Sequence, residues 1–293
     1  MNKKNLIEIK GELTLVGAAF FYSLFSVCSR LIGTSFAPFY QTWTRTLVAL
    51  FFLAFLTTRS SFKKIEKADL AWFILVIIGG SFVNTAFFVA AVNMPLATTM
   101  FIFYAISTIF SYFIGSILFK ENINILKIFS ILFAVFGLGL IYSDGLIFEK
   151  LFFIFLAALS GILFSVYTMA SKKISHKYSG VQINYVAYIS MIIINLATSL
   201  ILHENFNLSF FSIPWLANIL YGFAAVGAYL LIIKGFKTVE MQKGSIILLF
   251  EIIFVVIFGV ILFKEIPTRN SIIGGVLIII AMIIPNLKLL KNA

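Results

Sequence analysis

The sequence is short of almost everything a soluble enzyme uses. Only 11% of its 293 residues are charged, against about 25% in soluble domains, so water is not this chain's main solvent. It has one cysteine, Cys28, which excludes an intrachain disulfide and a thiolate-type metal site. Its two histidines, His176 and His203, lie outside the apolar runs, which argues against zinc. No His-Glu-x-x-His is present, and Gly80-Ser81 has no partner histidine at matching depth. An intramembrane enzyme would need such a nucleophile–base pair or ligand set. A Gly-x-x-x-x-Gly-Lys-Ser/Thr loop is also missing, which argues against ATP hydrolysis. No enzymatic activity, cofactor or metal is expected.

What the chain has is apolar length: 61% of it is hydrophobic. A spanning helix needs about 20 mostly apolar residues. Charge clusters, Pro and Asn divide the chain into ten such runs, near 12–32, 38–58, 70–91, 96–119, 124–143, 150–171, 180–202, 213–235, 241–263 and 270–288. The runs are continuously apolar, which predicts helices rather than the short alternating strands of a barrel. Asn93-Met94-Pro95 leaves room only for a tight helical hairpin. The basic start, MNKKNLIEIKGE, leads into a run too long for a signal-peptide core and without a small-residue cleavage site, so a retained first helix is expected.

The net charge of +11 could suggest nucleic acid, but no basic cluster is large. The cations fit better as membrane-flanking charges, which concentrate on the cytoplasmic side. With the N-terminus inside, only Arg30, Lys150, Lys264 and Arg269 fall outside and Arg45 lies within a span. The remaining seventeen of the 22 Lys and Arg residues are then cytoplasmic. Both termini are expected in the cytoplasm, with the protein in the cytoplasmic membrane.

Two short words are repeated. ILFKE stands at Ile117–Glu121 and Ile261–Glu265, and LFSV at Leu24–Val27 and Leu163–Val166, at offsets of 144 and 139. Two landmarks in one order indicate a duplicated unit, over 12–143 and 149–288. Each copy holds five helices, an odd number, so the second enters the membrane upside down. The expected fold is therefore an all-α integral membrane protein with ten transmembrane helices in two inverted five-helix repeats. Inverted repeats are how many secondary transporters alternate access around a midplane site.

With these landmarks the sequence resembles the EamA-type branch of the drug/metabolite transporter superfamily. In that family the repeat ends in an apolar helix closing on Leu/Phe-x-Glu, then a Thr three residues on, then a Gly-rich helix. Here Glu265 is followed by Thr268 and Gly274-Gly275, and Glu121 by Asn124, with Gly137 and Gly139 later. Glu251 stands fourteen residues before Glu265, where the family commonly carries Glu-Pro, and Arg45 in TRTLVALFFL matches the family's second-helix Arg. The chain departs from the pattern at the Pro, where Thr108 and Ile252 stand. A Pro would loosen the helix backbone, so no Pro-driven kink is expected there. Ser130 also stands where the other copy has Gly274. The resemblance implies a solute pathway between the helix 3–4 and 8–9 hairpins.

Glu251 and Arg45 alone place a formal charge deep in a span. Such groups face a cavity or a partner, so the two either pair across helices 2 and 9 or face the solute. Uncharged candidates for the solute site are Tyr22, Ser26, Asn84, Tyr104, Ser107, Tyr167 and Tyr229, each of which could equally bond between packed helices. In the repeat register Ser107 corresponds to Glu251 and Asn84 to Ala228. Trp72 and Trp215 read as interfacial anchors, and Gly137, Gly139, Gly274 and Gly275 as close-packing residues. Lys120 and Lys264 should close helix C-termini, with Glu121 and Glu265 capping the turn into the next helix. The function expected is a carrier exporting or exchanging a small organic solute such as an amino acid, another metabolite or an amphipathic cation. The central acid favours a substrate with a positive group. A passive channel or a non-transporting membrane protein is the alternative. The expected partners are that solute and the lipid bilayer, with room for a homodimer.

Overall fold

The computed structural model describes residues 3–33, 35–58, 61–94, 96–148, 150–206, 209 and 211–286. Arg59, Pro95, Lys288 and Lys291, on which parts of the sequence argument lean, lie outside the described residues. Among the described residues all regular structure is helical: α1 Lys3–Ile32, α2 Pro38–Phe55, α3 Leu70–Asn93, α4 Leu96–Phe119, α5 Ile125–Tyr142, α6 Leu151–Ile174, α7 Gly180–Ile201, α8 Ile213–Phe236, α9 Met241–Leu248, α10 Phe250–Phe263 and α11 Arg269–Ile283. Among the described residues eight helices are long and apolar enough to cross a membrane, α9 and α10 counting together as one. The shorter α11 is also apolar. The remaining helix, α2, is diluted by Gln41, Thr42, Thr44, Arg45 and Thr46. These threonines and Arg45 are buried within the protein. The threonine hydroxyls donate to carbonyls of their own helix, Thr42 to Pro38, Thr44 to Tyr40 and Thr46 to Thr42, so the helix needs no water to satisfy them.

Apolar side chains cover the outside. Leu13, Phe51, Phe55, Ile117, Phe136 and Leu151 are all exposed, the reverse of a soluble surface. Inside, the helices pair between the halves of the chain. α1 packs on α8 and α3 on α6; α2 packs on α8 and α3 on α7; α4 packs on α6 and α1 on α9 and α10; α2 meets α7, and α5 meets α11. Exchanging each helix of the first half for its counterpart in the second reproduces the same set of pairs.

Some contacts are backbone to backbone. A methyl on Gly79 would lie 2.7 Å from the Tyr167 nitrogen and 2.8 Å from the Leu163 oxygen, so α3 and α6 touch there. Gly137 and Gly274 face one another across α5 and α11, each against the other's carbonyl oxygen. The expectation of close packing fails for Gly275, around which there is open space, and is weak for Gly139, where a methyl would have only an ordinary contact with Phe101.

Both ILFKE copies form one structure. Lys120 and Lys264 end their helices in the left-handed region, with φ of 54° and 55°. The following amides, of Glu121 and Glu265, donate back to the carbonyls of Gly115 and Gly259 at 3.0 and 3.1 Å, the closing bond of a Schellman turn. The expected capping of the next helix is not the glutamates' work. Asn124 caps α5 by accepting from the Lys127 amide, and Thr268 caps α11 by accepting from the Ser271 amide. A short polar side chain one residue before the helix reaches those amides better than a Glu three residues further back.

The ninth run is broken although it lacks the family's Pro. The Leu249 amide bonds to Ile246 and the Ile252 amide to Leu249, both three residues back, a tightened turn that separates α9 from α10. Its first-half counterpart α4 runs unbroken through Thr108.

Replacing Gly79 by Ala should lower stability by about 1–3 kcal/mol, the usual cost of overpacking, because only backbone stands in the way. Gly275→Ala should be neutral or slightly stabilising. Thermal unfolding of the two variants in detergent checks the contrast; equal effects would contradict it.

Candidate functional site

A cavity of about 540 Å³ lies between the two halves. Tyr22, Ser26, Arg45, Asn84, Tyr104, Ser107, Tyr229 and Glu251 all line it. Tyr167 does not: it is buried beside the cavity, where its hydroxyl donates to Asn184 at 3.0 Å. The cavity draws walls from α1 to α8 as well as α9 and α10, α5 through Tyr142 alone, a wider set than the two hairpins suggested by resemblance.

Backbone approaches fix the walls. A methyl on Gly222 of α8 would sit 2.7 Å from the Arg45 oxygen, so α2 and α8 meet where Arg45 leaves its helix. A methyl on Gly161 of α6 would sit 2.6 Å from the Phe103 oxygen and 3.0 Å from the Ser107 nitrogen, which sets α4 at the level of Tyr104 and Ser107. The Ser165 hydroxyl donates to the Ser107 carbonyl at 2.8 Å, and the Ser107 hydroxyl to the Tyr104 carbonyl at 3.1 Å. Ser107 is thus partly engaged in holding helices.

The two spanning charges do not pair. Neither Glu251 nor Arg45 takes part in any ion pair among the described residues. Glu251 stands in the first turn of α10, just past the break, partly exposed and lining the cavity together with Tyr104. Arg45 is buried, its guanidinium 4.1 Å from the centre of the Tyr221 ring and 5.2 Å from that of Phe88. Aromatic faces attract a cation without neutralising it, and Arg45 Nη1 has no hydrogen-bond partner. Tyr221 in turn stacks on Phe25 at 4.1 Å. The Tyr22, Tyr167 and Tyr188 rings each stand edge-on to Tyr229, at 5.6–5.7 Å. The sequence argument missed Tyr221, Phe88, Tyr142 and Tyr188, all of them in the lining. A buried Arg needs a nearby π face or acid, and that was the one usable signal for Tyr221.

The two ends of the cavity differ. Its lining reaches Ser29, Arg30, Leu96 and Ala97 at one end. There Arg30 and Glu265 form an ion pair with side chains 46% and 50% exposed. At the other end the lining stops at Phe236 and Ser245 and includes none of the residues 237–244. That end is sealed by the start of α9. Glu121 accepts from the amides of Met241 and Gln242 at 2.7 and 3.1 Å, and Lys172 pairs with the same carboxylate at 3.2 Å, the two side chains 12% and 5% exposed. Lys127 adds contacts to Glu240 and to the Gln242 side chain, and Lys243 pairs with Glu8 and Glu12 of α1. Beside this end, Lys177 and Tyr178 donate to Asp69 and hold its carboxyl below the usual carboxylate range.

The family model of the EamA-like transporter family matches residues 9–143 and again residues 151–287. The chain belongs to this family. The EamA chain is accordingly a multi-pass membrane transporter of the drug/metabolite transporter superfamily, with the family unit present twice. It is similar in fold to a solved crystal structure at a TM-score of 0.81 and 16% identity, over 96% of this chain and 98% of the other. No curated protein matches the sequence.

Because Glu251 and Arg45 do not pair, Glu251→Gln should change stability by less than about 1 kcal/mol, whereas breaking a buried pair costs about 3–5 kcal/mol. Thermal unfolding of Glu251→Gln, Arg45→Leu and the double variant decides between these. Additive effects are expected, and a large single loss rescued in the double variant would contradict the geometry.

Proposed function

We infer that this EamA protein is a secondary carrier, not an enzyme, that exports or exchanges a small zwitterionic organic solute. The observation that carries the reading is the pair of unmated opposite charges, Glu251 and Arg45, in one aromatic-walled cavity. A carboxylate group on the solute would complete Arg45, and an ammonium group would complete Glu251. Tyr22, Ser26, Asn84, Tyr104, Ser107 and Tyr229 would bind the remainder. The volume lies within the range of small-molecule sites, about 300–1,000 Å³. Amino acids and similar metabolites meet these demands; a purely cationic amphiphile would leave Arg45 without a partner.

The same reading takes the ten runs as ten spans, with α9 and α10 together as the ninth. They form two inverted five-helix repeats, 12–143 and 149–288, that alternate access by rocking. The exchange of helix pairs between the halves supports this. Lys120, Lys127, Lys172, Lys173, Lys237 and Lys243 lie toward the sealed end, which supports a cytoplasmic-membrane protein with that end and both termini in the cytoplasm. The cavity then opens outward. A channel fits less well, because no lining residue carries the cavity past the start of α9.

Purified protein in liposomes, given labelled amino acids with and without a proton gradient, tests the reading. Uptake should saturate, and analogues lacking either the ammonium or the carboxylate should compete poorly. Glu251→Gln and Arg45→Leu should each lower flux by about tenfold or more, the usual loss when a charged hydrogen bond to a ligand is removed. Non-saturating flux would indicate a channel, and undiminished flux in both variants would remove the charge pair from the site.

A further inference from the structure

The two ILFKE glutamates share a backbone and differ in their surroundings. At the repeat offset of 144, Gly115, Lys120 and Glu121 correspond to Gly259, Lys264 and Glu265, and their turns have the same form. Both carboxylates fold back over their glycine, so that a methyl on either Gly115 or Gly259 would strike the Glu Oε2. Each also meets a cation from the first helix of the other half, Lys172 of α6 for Glu121 and Arg30 of α1 for Glu265. Here the likeness ends. Glu121 also accepts from two first-turn amides of α9, those of Met241 and Gln242. At the same offset these residues correspond to Ala97 and Thr98, in the first turn of α4. First-turn amides have no intrahelical acceptor and favour a carboxylate. Leu96 and Ala97 line the cavity mouth, and Glu265 remains half exposed, bonded to Arg30.

We propose that Glu265 is the latch of the open mouth. When that mouth closes, its carboxylate keeps Arg30 and accepts from the amides of Ala97 and Thr98, reproducing the contacts of Glu121 at the sealed end. The inference rests on the carrier reading above and adds the residue that holds the opposite state. The structure thus shows one latch complete and the other half made. Sealing by Glu121 and sealing by Glu265 are alternatives, since α4 and α9 are counterparts in one rocking movement.

Pulsed electron–electron distance measurements in proteoliposomes test this in a Cys28→Ser chain. One nitroxide pair at Leu96 and Ile266, which are 56% and 91% exposed, reports the open mouth. A second at Ile123 and Lys237, both exposed, reports the sealed end. The otherwise unaltered chain should show a short and a long distance at each end, populated in opposition. Glu265→Ala and the size-conserving Glu265→Gln should each reduce the population at the short mouth distance by about tenfold, the worth of a charged hydrogen bond. Glu121→Ala should move both pairs the opposite way. An unchanged mouth distribution in both Glu265 variants overturns the latch, even where the unaltered chain exchanges between two states. A single fixed distance at each end in the unaltered chain overturns the carrier reading itself.

Discussion

A carboxylate resting on the first amides of a helix closes one end of this molecule's cavity. Glu121 gathers the Met241 and Gln242 amides and the Lys172 ammonium. In doing so it pins the start of α9 across one end of the cavity. Those amides have no acceptor in their own helix, and in lipid an unmet donor costs several kcal/mol. One acid therefore satisfies two amides and neutralises a partly buried lysine. The cavity's shape, open where α4 begins and closed where α9 begins, follows from that contact and from the matching one not being made.

The charges inside the cavity obey a different economy of contacts. Arg45 and Glu251 could have formed a stabilising pair, and the fold keeps them apart, Arg45 over the faces of Tyr221 and Phe88 and Glu251 at the start of α10. Gly222 brings α8 so close to the Arg45 backbone that α2 is held in place, and Gly161 holds α6 against α4 at the level of Tyr104 and Ser107. Two ionisable groups left incompletely satisfied in a span are costly, and that cost is what the proposed zwitterionic solute would relieve. The break at Leu249 places Glu251 at the start of a half-helix, the kind of discontinuity that carriers place at a binding level.

Much of this was legible in the residues. Apolar run length located the helical regions but not the division of the ninth run into α9 and α10, and the repeated ILFKE revealed the duplication, because a left-handed Lys after a helix that ends over a Gly is a demanding turn. The spanning acid and base were visible for their cost. Glu121's role was not, since its partners lie 120 and 121 residues away in the chain, and a Glu before a helix looks locally like a cap. Gly275 misled for the same reason: a glycine's sequence neighbourhood does not say which side of its helix meets another. The break in the ninth run escaped because a proline was the only cause of a kink considered, whereas a turn of 3₁₀ bonds suffices.

Access to one residue from two sides tests the central claim most directly. A single cysteine at Ser26, on the cavity wall, can be placed in a Cys28→Ser chain and exposed to an impermeant thiol reagent in right-side-out and in inverted vesicles. Alternating access predicts labelling from both faces, with a bound zwitterionic solute changing the two rates. Labelling from one face alone, whatever solute is present, would contradict it.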